Sequence, residues 1–310
     1  MGVKGRMIIF DGRNLLWRAH SVFQTLSAEL PDGEVIPTGG MYGFLSLAAM
    51  KWRKFGGRAV VAWEGNSNYR YKVYPAYKKK DTKQDPFREQ LLSEIGIQEI
   101  RLKAVLRAMG VEQYKAVGGE ADDVLATLAK RHVEAKPGNR AIIYTGDSDL
   151  RQMVGNGIVV VAPGNKNHDT EYMDADQVVA KDGVIPSLMP DLKALAGDSS
   201  DNIPGAKGVG TITAQKLLVK YGTLEKVLRG ADSDVSEWPV PKRLQDIIAE
   251  DENNLKLYKR LATVMVDCDM KLIKPKRDKL KVLGYLRQYR FASLLAPLEL
   301  SSLMKMAEDE

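Results

Sequence analysis

Four short apolar runs, each the length of one buried strand, alternate with amphipathic segments along the first half of the chain. The runs cover residues 7–10, 59–63, 141–144 and 158–161. The amphipathic segments between them include residues 43–55, 99–109 and 121–132. Strands that are apolar throughout are buried on both faces, which is typical of a parallel sheet covered by helices. The pattern predicts an α/β fold with a mostly parallel central sheet flanked by helices.

The second half of the chain has a different pattern. After about Pro190 the strand-like runs stop, and helical periodicity appears at residues 192–196, 211–221, 224–228, 242–249 and 255–264. We therefore predict two regions, an α/β core over residues 1–190 and a helical region with a C-terminal segment over residues 191–310.

Composition excludes several classes of protein. The 310 residues contain one cysteine, which excludes a disulfide framework and a cysteine-based zinc site and fits a reducing compartment. No apolar run approaches the roughly 18 residues that cross a bilayer. The start of the chain lacks the apolar stretch of a signal peptide. We expect a globular, cytoplasmic protein with no membrane partner.

Acidic residues follow three of the predicted strands, namely Asp11, Glu64, and Asp147 with Asp149. Two more acidic groups occur elsewhere: Glu120, Asp122 and Asp123 at a helix start, and Asp198 with Asp201 in a turn-rich segment. In open parallel sheets, ligands bind beyond the carboxyl ends of the strands, so these acids are expected to converge. A single acid at such a position is often a turn or cap residue. Five convergent groups would repel one another unless cations bind them.

Hard divalent cations with oxygen ligands, such as Mg²⁺, fit a carboxylate cluster. Two such ions about 4 Å apart activate a water and stabilise the leaving oxygen of a phosphodiester. The acidic groups therefore predict a two-metal site for phosphodiester chemistry.

Two further segments have the composition of nucleic-acid contacts. A glycine-rich turn leads into the predicted helix 211–221, and its candidate phosphate ligands are Lys207, Gly208, Gly210, Thr211, Thr213 and Lys216. A basic segment with tyrosines follows Glu64, and its candidates are Arg70, Tyr77, Lys78, Lys79, Lys80 and Lys83. We expect this segment to be a mobile loop or helix over the metal site. An ordinary helix-start turn and a solvated surface loop are the alternatives.

Charge is concentrated in the regions around these motifs. Residues 51–107 contain 14 Lys/Arg and 6 Asp/Glu, and residues 242–290 contain 13 and 7. Basic regions around acidic clusters indicate a polyanion held against bound metal, although solvated helix faces would give the same counts.

Four motifs in this order resemble the 5′-nuclease (flap endonuclease) family, in particular the stand-alone phage 5′–3′ exonucleases and the N-terminal exonuclease domain of bacterial DNA polymerase I. The motifs are DGRNLLWRAH, GGEADDVLATLA, TGDSDLRQMV and LAGDSSDNIPGAKGVGTITAQKLL. The chain length favours the stand-alone form. The resemblance implies a PIN-like nuclease core, a helical arch at about residues 70–105 and a helix-3-turn-helix subdomain.

The resemblance also implies an activity. It implies metal-dependent hydrolysis of DNA at 5′ flaps, nicked or gapped duplexes and 5′ ends, in replication or repair. The implied cofactors are two divalent ions, Mg²⁺ or Mn²⁺, with K⁺ at the helix-3-turn-helix. A monomer in the cytosol of a bacterium or a phage-infected host is expected.

Motif positions imply roles for individual residues. By resemblance, one metal group consists of Asp11, Glu64, Glu120 and Asp122. The second consists of Asp147, Asp149, Asp198 and Asp201, with Asp123 close to both. Lys78 is similar to the arch lysine that polarises the scissile phosphate, and Arg70 to its basic partner.

The chain departs from the family pattern at three places. Glu64 replaces the usual aspartate, Lys80-Asp81 stands where the arch has arginine, and Ile212 replaces a lysine of the hairpin. Two alternatives to a DNA flap nuclease stay open. One is an RNase H-like enzyme that removes RNA primers, and the other is a non-catalytic protein that binds DNA junctions. A P-loop NTPase is excluded, because the sequence has no G-x-x-x-x-G-K-[ST] motif.

Overall fold

The computed structural model describes residues 5–66, 68–79, 86–164, 171–231 and 239–308. Within these ranges, seven strands form one sheet and two form a separate hairpin. The strands are β1 (Arg6–Asp11), β2 (Ser27–Glu29), β3 (Val35–Pro37), β4 (Arg58–Trp63), β5 (Glu112–Ala116), β6 (Arg140–Tyr144), β7 (Ile158–Ala162), β8 (Glu171–Met173) and β9 (Met270–Ile273).

Helices connect and cover these strands. They are α1 (Gly12–Val22), α2 (Gly39–Phe55), α3 (Tyr69–Val73), α4 (Pro86–Met109), α5 (Ala121–Ala135), α6 (Ala175–Asp182), α7 (Met189–Ala196), α8 (Thr211–Tyr221), α9 (Leu224–Ala231), α10 (Lys242–Glu250), α11 (Glu252–Ala262), α12 (Lys279–Gln288) and α13 (Pro297–Lys305). Short 3-10 helices cover Asp149–Met153, Pro186–Leu188 and Ala292–Leu295. None of the helices in the described ranges has both the length and the apolar character that a membrane span needs.

The sheet order is β8-β7-β6-β1-β4-β5-β9. The five inner strands are parallel, and β8 and β9 pair antiparallel to them at the two edges. The predicted mostly parallel sheet flanked by helices is confirmed, and the four predicted strands are β1, β4, β6 and β7. The carboxyl ends of β1, β4 and β6 lie side by side, so the residues after these strands are neighbours in space.

Both faces of the sheet are buried, because successive side chains of a strand point to opposite faces. Ile8 and Phe10 pack with α1, α2, α4, α12 and α13 on one face. Met7 and Ile9 pack on the other face, in a core that includes α5 and the helices α7, α8, α9 and α11. The apolar runs seen in the sequence are thus the central strands of a sheet between two layers of helices.

The prediction that strands stop after Pro190 is wrong. β9 pairs with β5 through the register Gln113↔Ile273 to Ala116↔Met270. Residues beyond β9 also return to the sheet, since Val282 and Leu286 of α12 join its α1–α2 side. β9 is a short, lysine-containing edge strand, a kind that natural sheets use to prevent edge-to-edge pairing and that lacks an apolar run. The apolar pattern does not predict β5 either, because its sequence, Glu-Gln-Tyr-Lys-Ala, contains no apolar run.

The turn between α2 and β4 requires glycine, and replacing Gly57 with alanine should destabilise the protein. Gly57 has a φ of 88°, and a Cβ there would lie 2.3 Å from the carbonyl oxygen of Arg6. The left-handed conformation alone costs a non-glycine residue about 1–3 kcal/mol. We expect a loss of at least that free energy of unfolding in urea denaturation.

Gly96 provides the matched control. It lies within α4, and a Cβ there would have open space around it. Gly96→Ala should stabilise the protein by about 0.5–1 kcal/mol, because glycine weakens a helix interior. Equal effects of the two substitutions would contradict this account of Gly57.

Candidate metal centre

Three strand ends and one helix start meet at the carboxyl edge of the sheet. Asp11 ends β1 and caps α1, where its Oδ1 accepts a hydrogen bond from the Asn14 amide at 3.2 Å. Its Oδ2 accepts a hydrogen bond from the hydroxyl of Thr145, directly after β6, at 2.7 Å. Glu64 follows β4, and its Oε2 accepts from the Ala121 amide at the start of α5, at 3.3 Å. The turn after β1 is therefore fixed against the turn after β6, and the turn after β4 against the start of α5.

A buried tyrosine connects two acids that are far apart in the chain. The Tyr77 hydroxyl lies 3.0 Å from Oε2 of Glu120 and 2.9 Å from Oδ2 of Asp201. The ammonium group of Lys78 donates to Oε1 of Glu120 at 2.8 Å and lies 3.7 Å from Oδ1 of Asp201. The turn that contains Tyr77 and Lys78 thus holds the start of α5 close to the loop after α7.

Asp149, Asp198 and Asp201 form a compact carboxylate group. One oxygen from each lies within 4.8 Å of the others, which is an arrangement able to hold a metal ion. The ammonium group of Lys193 donates to both Asp149 and Asp198. Although burial opposes ionisation, this lysine lowers the pKa of Asp198 to about 2. No motif in the sequence singles out Lys193, whose only signal is its place in the mostly apolar helix α7.

Four other acids of the centre hold their protons more tightly than ordinary carboxyl groups. Burial raises the pKa of Asp11 to about 6. Burial and the neighbouring Glu120 raise the pKa of Glu64 to about 7, and burial and Asp149 raise that of Asp147 to about 6. Burial, with Asp147 and Asp11 nearby, also raises the pKa of Asp122. Clustered carboxylates of this kind fit hard divalent cations, which would compensate their mutual repulsion.

The structure places eight predicted metal residues together at this edge: Asp11, Glu64, Glu120, Asp122, Asp147, Asp149, Asp198 and Asp201. The ninth prediction, Asp123, is wrong. Asp123 is completely buried, and its carboxylate accepts hydrogen bonds from Arg70, from the Glu120 amide at 2.9 Å and from the Met265 amide at 2.8 Å. These donors occupy its oxygens, so Asp123 serves as a structural counter-ion.

The predictions for Arg70 and Tyr77 are also wrong. The Arg70 side chain is 2% exposed and forms a bidentate pair with Asp123, with N···O distances of 2.7 and 2.9 Å. It also donates to the carbonyl oxygens of Leu261 and Thr263, so it has no surface for a phosphate. Tyr77 is 2% exposed, and therefore its ring cannot stack on a base.

The other predicted DNA ligands differ in their placement. Lys79 is exposed, whereas Lys80 and Lys83 lie outside the described residues. Lys207, Gly208, Gly210, Thr211 and Lys216 are exposed at the first turns of α8 and the loop before it, and Thr213 is half-buried. Ile212 is 70% exposed on the same turn. Phosphate binding by this surface stays a prediction.

Comparison with known proteins gives the family. The model for the 5′–3′ exonuclease N-terminal resolvase-like domain matches residues 6–183, and that for the 5′–3′ exonuclease C-terminal SAM fold matches residues 184–282. The chain belongs to the 5′–3′ exonuclease family. The family predicted from the four motifs is thereby confirmed.

Individual relatives agree with this assignment. The 5′–3′ exonuclease of Aquifex aeolicus is 31% identical over 302 residues, which cover 96% of this chain and 94% of that protein. DNA polymerase I of Chloroflexus aurantiacus is 32% identical over 273 residues, or 86% of this chain but only 27% of the polymerase. The fold matches the bacteriophage T5 D15 flap endonuclease complex with DNA and metal ions, with a TM-score of 0.66, 16% identity and coverage of 97% of this chain and 99% of that one.

The raised pKa values predict how pH and metal affect stability. Since the folded pKa values of Asp11, Asp147 and Glu64 exceed the unfolded ones, the folded protein binds protons that the unfolded chain releases. This contribution to stability is lost as the pH rises through about 6 to 7. In EDTA, the Tm measured by calorimetry should therefore be lower at pH about 7.5 than at pH about 5.5. Added Mg²⁺ should raise it more at the higher pH.

The variant Asp147→Asn tests whether the centre causes this behaviour. It removes one clustered charge, so both the pH dependence of Tm and the stabilisation by Mg²⁺ should decrease. A Tm in EDTA that falls on acidification over this range would contradict the assignment.

The bridging hydroxyl predicts an effect of Tyr77→Phe on metal binding. Removing a hydrogen bond to a charged group costs about 1.5–3 kcal/mol, so the affinity for Mg²⁺ should fall by about tenfold or more. Titration calorimetry without DNA measures this affinity directly. Tyr71→Phe is the control, because Tyr71 is 49% exposed and contacts the Tyr77 ring. Among the described residues, its hydroxyl forms no hydrogen bond to the acids, although it lies in their electrostatic field. Unchanged Mg²⁺ affinity in Tyr77→Phe would refute the positioning role.

Proposed function

We propose that this protein is a divalent-metal-dependent, structure-selective 5′ nuclease that hydrolyses phosphodiesters of DNA at 5′ flaps and 5′ ends. The observation that carries the proposal is the convergence of eight carboxylates and Lys78 at one edge of the sheet. A protein that only bound DNA would be hindered by eight carboxylates beside phosphate, because like charges repel. The T5 flap endonuclease complex with DNA and metal ions has the same fold, which supports DNA as the substrate.

We infer that the carboxylates hold two divalent ions. Asp149, Asp198 and Asp201 would hold one, in agreement with their mutual spacing. Asp11, Glu64, Glu120 and Asp122 would hold the other, with Asp147 next to both groups. Mg²⁺ is the proposed ion and Mn²⁺ a substitute, since the donors are carboxylate oxygens. Such ions, when bound, activate a water and stabilise the leaving oxygen.

Lys78 is the proposed catalytic cation of the chain itself. Burial opposes its charge, but Glu120 and Asp201 raise the pKa of Lys78, so it stays protonated. Its side chain is 30% exposed, which leaves the ammonium group within reach of a substrate phosphate. Its backbone has a φ of 51° and donates to the Asp201 carbonyl oxygen at 2.9 Å, which fixes the direction of the side chain. A positioned cation stabilises charge that develops on the phosphate.

The start of α8 is the proposed duplex contact. Its exposed amides and Lys207 would bind phosphates of the backbone without reading sequence. A K⁺ ion is proposed at the same place, because glycines lack the side chains that would hinder the approach of a cation to backbone carbonyl oxygens. Since all proposed ligands of the metals belong to one chain, we propose that the protein acts as a monomer.

Cleavage of a flap substrate labelled at its 5′ end tests the proposal. In Mg²⁺ the protein should release a discrete flap product, and in EDTA it should bind the junction without cutting it. Asp147→Asn should bind the junction about as well as the wild type and cut it at least about 10²-fold more slowly, because it loses metal and no basic surface. Binding without cutting in Mg²⁺ would support the junction-binding alternative instead.

A further inference from the structure

The segment after β9 forms a strongly basic surface that the proposed nuclease site does not use. It consists of Lys274, Lys276, Lys279 and Lys281, together with Arg107 at the end of α4. All five residues are exposed. We refer to this set as the basic surface.

The basic surface lies at the opposite edge of the sheet from the metal centre. β9 runs antiparallel to β5 from Met270, opposite Ala116, to Ile273, opposite Gln113. Lys274 therefore lies near the amino end of β5, whereas the carboxylates lie beyond the carboxyl ends of β1, β4 and β6. A duplex held at the start of α8 would leave this surface free.

The backbone under the basic surface is fixed. The Lys276 amide donates to the Arg107 carbonyl oxygen at 2.9 Å, and the Asp278 amide donates to that of Ala108 at 2.8 Å. The guanidinium group of Arg107 donates in return to the Lys274 carbonyl oxygen at 3.1 Å. The cations are therefore presented from an ordered segment anchored to the end of α4.

These cations lack acidic partners. In the part of the chain that the structure describes, none of the five forms an ion pair with a carboxylate. The nearest acid in sequence, Asp278, caps α12 by accepting from the Lys281 amide at 3.0 Å. Unpaired cations at this density attract counter-ions, whose release favours the binding of a polyanion.

The surface also contains a small cavity and exposed apolar groups. Arg107, Lys276 and Lys281 line a cavity of about 90 Å³ together with Asp278 and Tyr285. Leu280, next to two of the lysines, is 81% exposed. Cations interleaved with an aromatic ring are the combination that binds single strands, since phosphates contact the cations and unpaired bases stack on the ring. The Tyr285 ring stacks on Tyr289 with 6.0 Å between the centroids, and the Lys281 ammonium group lies 5.8 Å from its centroid. A base of a single strand would stack there by displacing Lys281, whereas a duplex would offer no free base.

We propose that the basic surface binds single-stranded DNA and holds the 5′ arm of the flap substrate. Helix α4 provides the path between the two sites. The helix begins at Pro86, eight residues after Lys78, which contacts Glu120 of the metal centre. Its 24 residues span about 36 Å, and Arg107 lies in its last turn. Lys103, on this path, lies 4.5 Å from the ring of Trp63 at the end of β4. This inference rests on the proposed function, because it requires a substrate with a single-stranded 5′ arm.

Binding of two flap substrates in EDTA tests the inference. One has a single-nucleotide flap, and the other a flap of about 20 nucleotides, longer than the roughly 4–16 nucleotides that a single-strand-binding module covers. The wild type should bind the long flap more tightly. The double variant Lys276→Gln/Lys279→Gln should lose most of this gain in affinity. For the long flap, the slope of the logarithm of the binding constant against the logarithm of the salt concentration should become less steep by about 1.4, or about 0.7 for each lost phosphate contact.

The control is Arg131→Gln/Lys136→Gln, which removes two exposed cations at the end of α5, on the other face of the sheet. It should retain the preference for the long flap. Equal binding of both flaps by the wild type, or an unchanged preference in the double variant, would overturn the inference and leave an acidic protein as the alternative partner. Cleavage of the short flap in Mg²⁺ separates the two proposals, because it should be the same in the wild type and both variants. If neither the wild type nor either variant cuts the short flap, the nuclease function itself is refuted.

Discussion

The buried pair of Arg70 and Asp123 connects the three parts of the molecule on which the metal centre depends. Arg70 belongs to α3, Asp123 to α5, and the carbonyl oxygens of Leu261 and Thr263, which Arg70 also binds, belong to the end of α11 and the residues after it. Breaking a buried ion pair costs about 3–5 kcal/mol, because one charge is left without a partner. The pair is therefore a strong constraint on how the basic turn and the helical region sit against the sheet.

The constraint matters because the metal centre beside it is electrostatically unfavourable in isolation. Carboxylates from five segments of the chain face one another, and burial raises the pKa values of several of them. Two lysines reduce the repulsion: Lys78 contacts Glu120, and Lys193 contacts Asp149 and Asp198. A rigid frame around such a cluster keeps the acids close together for binding divalent ions, although each acid alone would favour separation.

Motif membership predicted the location of the site better than the role of each residue. The composition of the basic segment predicts a phosphate contact for Arg70 and a base contact for Tyr77, and the acidic cluster at the start of α5 predicts a metal contact for Asp123. In the structure Arg70 and Asp123 pair with each other, and the Tyr77 hydroxyl lies within hydrogen-bond distance of Glu120 and Asp201. All three side chains are almost completely buried. Lys193, which no motif singles out, contacts two acids of the centre. Exposure and hydrogen-bond partners depend on residues more than 50 positions away, and no local pattern in a sequence contains them.

The sequence by itself determined four of the five inner strands of the sheet and the edge that carries the chemistry. Apolar runs such as residues 59–63 form buried strands by periodicity alone, and an acid after a parallel strand must lie at the shared carboxyl edge. Only the tertiary structure decided which acids face the metal centre and that the chain returns to the sheet after the helical region. Asp122 and Asp123 are adjacent in the sequence, but one faces the cluster and the other faces Arg70. β9, with the sequence Met-Lys-Leu-Ile, is short and interrupted by a lysine, so its apolar signal is weak. An edge strand gains its stability from pairing with its neighbour β5 rather than from burial on both faces.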